Sequence, residues 1–474
     1  MIHKEGGRLP ACPEEADAMT PARNIAGAAI MAALCLCATR VARAAQAKRE
    51  RISFEQALSL ALGHNRVLRA AELASGAAGR DVGVARGAML PSLDALETYS
   101  NTNNPTLVFS NLLNQQEFTA SDFNVQRLNF PASFQNFQSM IRLTQPIFTG
   151  GRLWASFAAS RDAADAARWR AIRTRQEIEF EVVQAYYGAV LTEERVGVLD
   201  RALAAARAHR RQAQNLFTHG MVVKADMLRA EVMEGTFEQE RNVARNQLLT
   251  AWDAFAHVLG TEDRPVAPLA SPPELERVAA TPLQDLKALI AKGLAMRPEL
   301  KIAQSEVDQA EQNLKIARAG YLPNLSVSAA YENDSRTFSR AGNSYSVFVA
   351  GQLNLFNGLA TDSQVGAAMD RLARARELRD ELRHGIALDV EKAYHALAAA
   401  SENLDVARRN AAYASDAARI LEDRYGSGLA TNVAVLDAET SRKEAAMRLV
   451  EARVAVLVTR AALKLASGQL NPGD

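Results

Sequence analysis

Residues that can do chemistry are present in this chain, but their spacing does not assemble a catalytic or metal site. The seven histidines are scattered, and no His-x-x-x-His pair places two metal ligands on one face of a helix. The sequence holds no Gly-x-x-x-x-Gly-Lys phosphate loop and no Gly-x-Ser-x-Gly nucleophile turn, and Gly426-Ser427-Gly428 is best explained as a turn. We therefore expect neither an enzyme nor a bound cofactor or metal.

The charges of this chain nearly cancel. The net charge is +1 over 474 residues, which gives no electrostatic footprint for nucleic acid or anionic lipid. The scattered arginines and carboxylates are best explained as solvated helix faces with some i to i+4 pairs. Aromatic residues make up only 6% of the chain, and Ala, Arg, Glu and Leu are abundant, which is typical of long helices.

The first residues are typical of a removed leader. Arg23 precedes an apolar run from Ile25 to Ala38, and Ala42-Arg43-Ala44 offers a signal peptidase site. We expect residues 1–44 to be the leader, with Met19 as an alternative start. All three cysteines lie in this segment, and lipidation of Cys35 or Cys37 is the less favoured alternative. No later run has eighteen consecutive apolar residues, so no spanning helix is expected.

The two halves of the chain are copies of one another. Phe148 matches Phe356 and Gly260 matches Gly468, each 208 positions later, and more than a hundred residues between them align without a gap. Before this block, Leu90-Pro91-Ser92-Leu93 matches Leu322-Pro323-Asn324-Leu325 at an offset of 232 positions. The repeat is therefore the structural unit, and one loop between the blocks differs in length.

Each copy predicts long helices and a pair of strands. The segments Gly150–Phe217 and Gly358–Tyr425 are 68 residues each without proline, and each is followed by a glycine-containing turn and a helix of about 34 residues. An opening helix of about 37 residues is expected in each copy. Capping residues mark their starts: Ser53 and Gln56 in one copy, and Thr281, Pro282 and Gln284 in the other.

The strand signal is alternation of apolar and polar side chains. It is clear over Asn324 to Glu332 and again from Ser344 to Leu355, on either side of a polar turn. Ser92 to Ser100 and Asn136 to Phe148 are the first-copy equivalents, although Glu97 interrupts the apolar face. Four strands cannot close a transmembrane barrel, and open edges in lipid leave backbone groups unpaired. The pattern therefore predicts a multimer.

A loop of 35 residues, Asn101 to Gln135, separates the first two strands and accounts for the change in repeat offset. It contains five phenylalanines, at positions 109, 118, 123, 130 and 134. A self-packed loop core is the favoured explanation, and a recognition surface is the alternative.

These segments resemble the TolC family of outer-membrane efflux proteins. The matching motifs are the two Leu-Pro entries to the strands, then Gln145-Pro146-Ile147-Phe148-Thr149-Gly150-Gly151-Arg152 and Leu355-Phe356-Asn357-Gly358, and the turns Leu216–Val222 and Arg424–Leu429. The resemblance extends from about Ile52 to Gly468. It implies an α+β membrane protein in the outer membrane, a homotrimer with a 12-stranded β-barrel continued by a 12-helix α-barrel across the periplasm.

The resemblance also implies partners and an entrance. A periplasmic adaptor protein and an inner-membrane pump of the RND or ABC type dock at the periplasmic tip, and outer-membrane lipid surrounds the barrel. Adaptor contact would fall on Gly220, Met221, Val222, Gly428 and Leu429. The closed entrance would be held by Asp226, Tyr425 and Asp437, while Ala430 and Ala434 replace an arginine and an aspartate of the family pattern. An ordinary solvated charge is the alternative for Asp437.

The predicted organisation follows the repeat. It comprises the leader 1–44, a periplasmic helix 52–89, a strand pair with a long extracellular loop 90–148, a helical hairpin 150–260 with its turn near 218–226, a linker 261–280, a second periplasmic helix 281–320, strands 322–356 and a second hairpin 358–468 with its turn near 426–434. The expected function is the exit duct of a tripartite efflux pump or a type I secretion system. A periplasmic coiled-coil adaptor or scaffold without a pore is the alternative.

Overall fold

The structure, a computed structural model, describes residues 49–262, 265–269, 272–277, 284–338 and 342–470. The predicted leader, Met19 and the three cysteines lie outside these ranges, as do Thr281 and Pro282. From Arg51 onward, the described residues belong to one compact unit.

Helices dominate the described part of the chain. Their bounds are α1 Phe54–His64, α2 Arg66–Gly87, α3 Pro105–Asn114, α4 Val125–Asn129, α5 Arg152–Thr218, α6 Lys224–Val258, α7 Pro273–Arg277, α8 Leu286–Met296, α9 Pro298–Arg318, α10 Ala360–Gly426 and α11 Asn432–Ala466. The strands are β1 Glu50–Ile52, β2 Ser92–Thr102, β3 Phe134–Thr149, β4 Val266–Pro268, β5 Asn324–Ser335 and β6 Gly342–Gln352.

The two hairpins α5–α6 and α10–α11 have equal dimensions. Helices α5 and α10 each contain 67 residues, and α6 and α11 each contain 35. At 1.5 Å per residue the long helices extend over roughly 100 Å. Each of the four helices ends before a glycine with positive φ, at positions 220, 260, 428 and 468. The predicted long helices and their turns are thus confirmed.

The opening helix of each copy is divided in two, which the sequence-based prediction did not anticipate. Asn65 ends α1 and caps α2, because its side chain accepts from the Val67 and Leu68 amides. In the second copy Pro298 begins α9, and the residue before a proline is disfavoured in a helical conformation. The Ser53–Gln56 capping box is present as predicted, whereas α8 is capped by Asp285.

Four strands form one antiparallel sheet in the order β2-β3-β5-β6. The central pairing of β3 with β5 joins the two copies, with Ile141 opposite Tyr331. Strands β5 and β6 extend further into the predicted polar turn than expected, to Ser335 and from Gly342, and β6 ends at Gln352 rather than near Leu355. Strands β2 and β6 have one neighbour each in this sheet, so two edges are open.

The sheet has one apolar face and one polar face. Cross-strand registers place Ala95, Ile141, Tyr331 and Tyr345 in one row of the apolar face, where Tyr345 is 83% exposed. Glu97 belongs to this face and accepts a hydrogen bond from the Ser139 hydroxyl at 2.5 Å. The opposite face carries polar side chains such as Asn324, Ser326 and Glu332 on β5 and Arg142 on β3.

The long first-copy loop has structure of its own. It contains α3, α4 and a 3-10 turn over Ala120–Phe123. Phe118 packs edge-to-face against both Phe109 and Phe123, with ring centroids 5.2 and 5.1 Å apart, so three of the five rings contact one another, although Phe123 remains 67% exposed. Phe130 is exposed, and Phe134 belongs to β3.

An aromatic core lies near the middle of the helical region. Tyr186 of α5 is fully buried between Phe54, Tyr187 and Phe255. Ile52 of β1 accepts from the Leu269 amide and from the Tyr186 hydroxyl, so the segment after α6 is fixed to this core. Among the helices that the structure describes, none is both long and apolar enough to span a bilayer.

Candidate functional site

The two interhelical turns share one backbone design. Each ends its long helix with a glycine in the left-handed region, Gly220 at φ 72° and Gly428 at φ 73°. The next amide bonds back to the helix, Met221 N to Leu216 O at 2.9 Å and Leu429 N to Arg424 O at 2.8 Å. This is a Schellman motif, in which glycine avoids the penalty that a Cβ would carry at positive φ.

The predicted contact residues lie in these turns with apolar side chains exposed. Met221 is 69% exposed and Leu429 is 76% exposed, while Val222 is half-buried. Gly220 and Gly428 face open space where a Cβ would be added. The structure thus places all five predicted tip residues at one end of the hairpins.

Two of the three predicted entrance residues come together. Tyr425, the last buried residue of α10, packs its ring 5.0 Å from the ring of His209 on α5. Burial, and secondly the charge of Asp226 on α6, raise the pKa of the Tyr425 hydroxyl above its usual value, so this group stays protonated. The hydroxyl oxygen is buried and has no hydrogen-bond partner among the described residues. Asp437 is exposed on α11.

A buried amide bridge, which the sequence did not reveal, connects the two turns. Asn432 places Oδ1 2.7 Å from His209 Nε2, and its Nδ2 donates to the Asp226 backbone carbonyl at 3.0 Å. Since Oδ1 is the acceptor, His209 carries its proton on Nε2. We call His209, Asn432 and the Asp226 carbonyl the tip bridge. The only sequence signal is a break in the repeat, because Lys224 and Ala417 occupy the equivalent positions.

A second missed feature is a buried acid on α11. Glu439 is 1% exposed, and Arg442 donates to its Oε2 at 2.5 Å. Burial raises the pKa of Glu439 to about 7, and a hydrogen bond with Glu422 of α10 contributes in the same direction. Its repeat equivalent, Glu231, is exposed. Within the described ranges, no three His, Cys, Asp or Glu side chains are close enough together to hold a metal ion.

Comparison with known families agrees with this architecture. The model of the family described as "Outer membrane efflux protein" matches residues 57–261 and 289–469, which is most of the chain and both copies. The chain belongs to the outer membrane efflux protein family. Members of this family are TolC-like channel proteins of the outer membrane, so the resemblance drawn from the repeated motifs is confirmed.

Individual relatives match most of the chain at low identity. The outer membrane efflux protein BepC of Brucella suis is 24% identical over 353 residues, which cover 73% of this chain and 76% of BepC. The outer membrane protein TolC of Escherichia coli is 24% identical, with 70% of each chain covered. A crystal structure of a membrane protein from Pseudomonas aeruginosa has the same fold, with a TM-score of 0.76 at 19% identity, covering 88% of this chain and 92% of that one.

Proposed function

We propose that this efflux-family protein is the exit duct of a tripartite efflux pump or a type I secretion system, built as a homotrimer. The observation that carries the proposal is the four-stranded sheet with two open edges and an exposed apolar face. Three such sheets joined edge to edge supply twelve strands. The apolar face then meets lipid, and the polar face lines the pore.

The energetics favour closure of the sheet. Each unpaired backbone group in the hydrocarbon region costs several kcal/mol, so β2 of one subunit and β6 of the next stabilise one another by pairing. On the apolar face, Val347 and Val349 are 62% and 68% exposed in the single chain. Such a surface is unfavourable in water and favourable against acyl chains.

The helices continue the duct away from the membrane. In the proposed trimer the four helices per subunit make a twelve-helix wall, and the two turns form its far end. The exposed Met221 and Leu429 side chains support docking of a periplasmic adaptor there, with an RND or ABC pump behind it. Either pump class suits one passive duct, and a Pseudomonas aeruginosa relative is named alkaline protease secretion protein AprF.

We further propose that Asp226, Tyr425 and Asp437 belong to the closed entrance. The support is the proximity of Asp226 and Tyr425, and a protonated, buried Tyr425 hydroxyl that has no described partner within its own chain. For a neighbouring subunit to accept from this hydroxyl, the side chains that bury it in the single chain must move when the entrance closes. Three exposed Asp437 carboxylates would line a ring that favours cations.

Tyr425→Phe tests the entrance. Removal of the hydroxyl eliminates the proposed hydrogen bond to the neighbouring subunit, so we expect a higher closed-state conductance in planar bilayers, with the fold unchanged by circular dichroism. Tyr394→Phe, at the repeat-related position of Tyr186, is the control and should conduct like the wild type. An unchanged closed conductance in Tyr425→Phe would exclude the role of this hydroxyl.

The trimeric duct itself is tested by extraction and electrophoresis. We expect the mature protein to leave the membrane only with detergents that dissolve the outer membrane, and to run as a heat-modifiable oligomer. Release by salt as a soluble monomer would instead support the pore-free periplasmic scaffold.

A further inference from the structure

An arginine-rich groove lies between α5, α9 and α10, far along these helices from the turns. It has a volume of about 730 Å³. Among the lining side chains that the structure describes, the only acidic ones are Glu299 and Glu306. Six arginines line the groove: Arg170, Arg173, Arg297, Arg371, Arg374 and Arg379. We call this feature the arginine groove.

Four of the six guanidinium groups have acidic partners. Arg170 donates to Glu306 at 2.5 Å, and Arg173 lies 3.9 Å from Glu299. Arg297 bonds both Glu299 and Asp389, and Arg379 bonds Asp380 from the margin of the groove. These pairs hold the wall in place and neutralise most of its charge.

The remaining two guanidinium groups are different. In the part of the chain that the structure describes, no ion pair or hydrogen bond reaches Arg371 or Arg374, and both side chains are exposed. They stand one helical turn apart on α10 and line the same groove. A guanidinium group can donate two parallel hydrogen bonds to the oxygens of one phosphate or carboxylate group.

The repeat shows that helix packing does not require these arginines. The first copy has alanine at the positions equivalent to Arg371, Arg374 and Arg379, namely Ala163, Ala166 and Ala171. The same long helix therefore forms with a methyl group at each place. Arginine at these positions is specific to the second copy, and Leu372 beside Arg371 makes the packing contact with α9.

The groove continues toward the polar face of the sheet. Arg371 also lines an adjoining cavity that reaches Asn324, the first residue of β5 and a member of the polar face. Tyr321 and Asp362, which bond at 2.6 Å, line neither cavity. The arginine groove and this adjoining cavity share Arg371, so together they extend along the helices to the start of β5.

We propose that the arginine groove is a binding site for oxyanions, with Arg371 and Arg374 as the anion-contacting residues. A ligand with two or more phosphate or carboxylate groups fits two free guanidinium groups in one groove. Where the groove opens into the pore of the proposed trimer, three such grooves surround the passage near the sheet and concentrate anionic solutes there, whereas the proposed Asp437 ring acts on cations at the far end, beside the turns. This last step rests on the proposed duct, whereas the binding step does not.

Isothermal titration calorimetry of the detergent-purified full-length protein with inorganic pyrophosphate, at constant ionic strength, tests the binding step. Each guanidinium contributes charge-assisted hydrogen bonds, so Arg371→Gln and Arg374→Gln should each weaken binding by about tenfold. The control is Arg376→Gln on the same helix, whose side chain bonds Glu311 outside the groove and should leave pyrophosphate binding unchanged. Equal binding by the Arg371→Gln/Arg374→Gln double variant and the wild type, or no binding by the wild type, overturns the site.

Reversal potentials in planar bilayers test the anion preference of the pore separately from anion binding in the groove. The double variant should shift permeability away from anions relative to the wild type and Arg376→Gln. Pyrophosphate binding without any conductance would contradict the duct but support the groove. If the wild type conducts and the reversal potential of the double variant is unchanged, the groove does not give the pore a preference for anions.

Discussion

At the scale of single residues, the tip bridge is the contact with the clearest consequence. Asn432→Ala leaves the buried His209 imidazole N–H without its partner, which costs about 1–3 kcal/mol, and it removes the side-chain bond to the Asp226 carbonyl. We expect amide hydrogens of both turns to exchange at least about tenfold faster, because local opening becomes easier. Hydrogen exchange with mass spectrometry measures this directly.

The control for Asn432→Ala is Asn215→Ala, at an exposed asparagine near the same turn. It should leave exchange at the wild-type rate. Faster exchange in Asn215→Ala alone, or protection retained in Asn432→Ala, would show that the amide bridge does not hold the turns together.

A second residue-scale prediction concerns pH and Glu439. Its folded pKa, about 7, lies above the ordinary value of 4.5, so the folded state binds more protons between these values. The contribution of Glu439 to the free energy of unfolding is therefore fully present below about pH 4.5, and it is lost as the pH rises toward 7. Glu439→Gln, which stays neutral, should flatten this decline when thermal midpoints are compared at pH 5.5 and pH 8.

Glu231→Gln is the matched control, since this glutamate is the repeat equivalent of Glu439 and is exposed. It should keep the wild-type dependence on pH. If the thermal midpoint of Glu439→Gln falls between pH 5.5 and pH 8 as steeply as that of the wild type, another group is responsible for the dependence.

At the scale of elements, the two junctions between a strand and a long helix differ in the residue that adopts a positive φ. Gly151 precedes α5 at φ 82°, but its repeat equivalent Leu359 precedes α10 at φ 65°, where a side chain is strained. Leu359 is exposed, so Leu359→Gly loses little burial and should raise stability by roughly 0.5–1 kcal/mol. Thermal unfolding checks the sign.

Gly150→Ala at the first junction should act in the opposite direction. The added Cβ would lie 2.7 Å from Leu322 Cβ, at a φ of 61° that also disfavours alanine. A lower thermal midpoint for Leu359→Gly, or an unchanged one for Gly150→Ala, would contradict the strain account.

The elements were largely predictable because their signals are local. Proline-free runs bounded by glycine give α5 and α10 to within a residue or two, and alternation gives the sheet strands. The divided opening helices show where local signals fail. The apolar periodicity continues across Asn65 and Pro298, but a helix ends before each of them and a new one begins. Contacts such as Asn432 with His209 join residues 223 positions apart, so no window of sequence contains both partners.

At the scale of the whole molecule, the proposed barrel makes a prediction about two neighbouring residues of β6. Val347 lies on the apolar face and Ser346 on the polar face. A lysine facing the middle of the bilayer costs about 2–4 kcal/mol, and one facing the pore costs little. Val347→Lys should therefore reduce the heat-modifiable oligomer on unheated gels, while Ser346→Lys should retain it. Equal assembly of both variants would reject the proposed orientation of the sheet.

The pairing of β3 with β5 has a consequence for the history of the chain. Each copy of the repeat brings only two strands, and the hydrogen bonds between β3 and β5 are made across copies. In the proposed ring of twelve strands, an ancestor with a single copy would have needed six identical chains to close it. Fusion of two copies halved the number of separate polypeptides that must meet, and it let the halves diverge at places such as Arg371 and Asn432 without losing the ring.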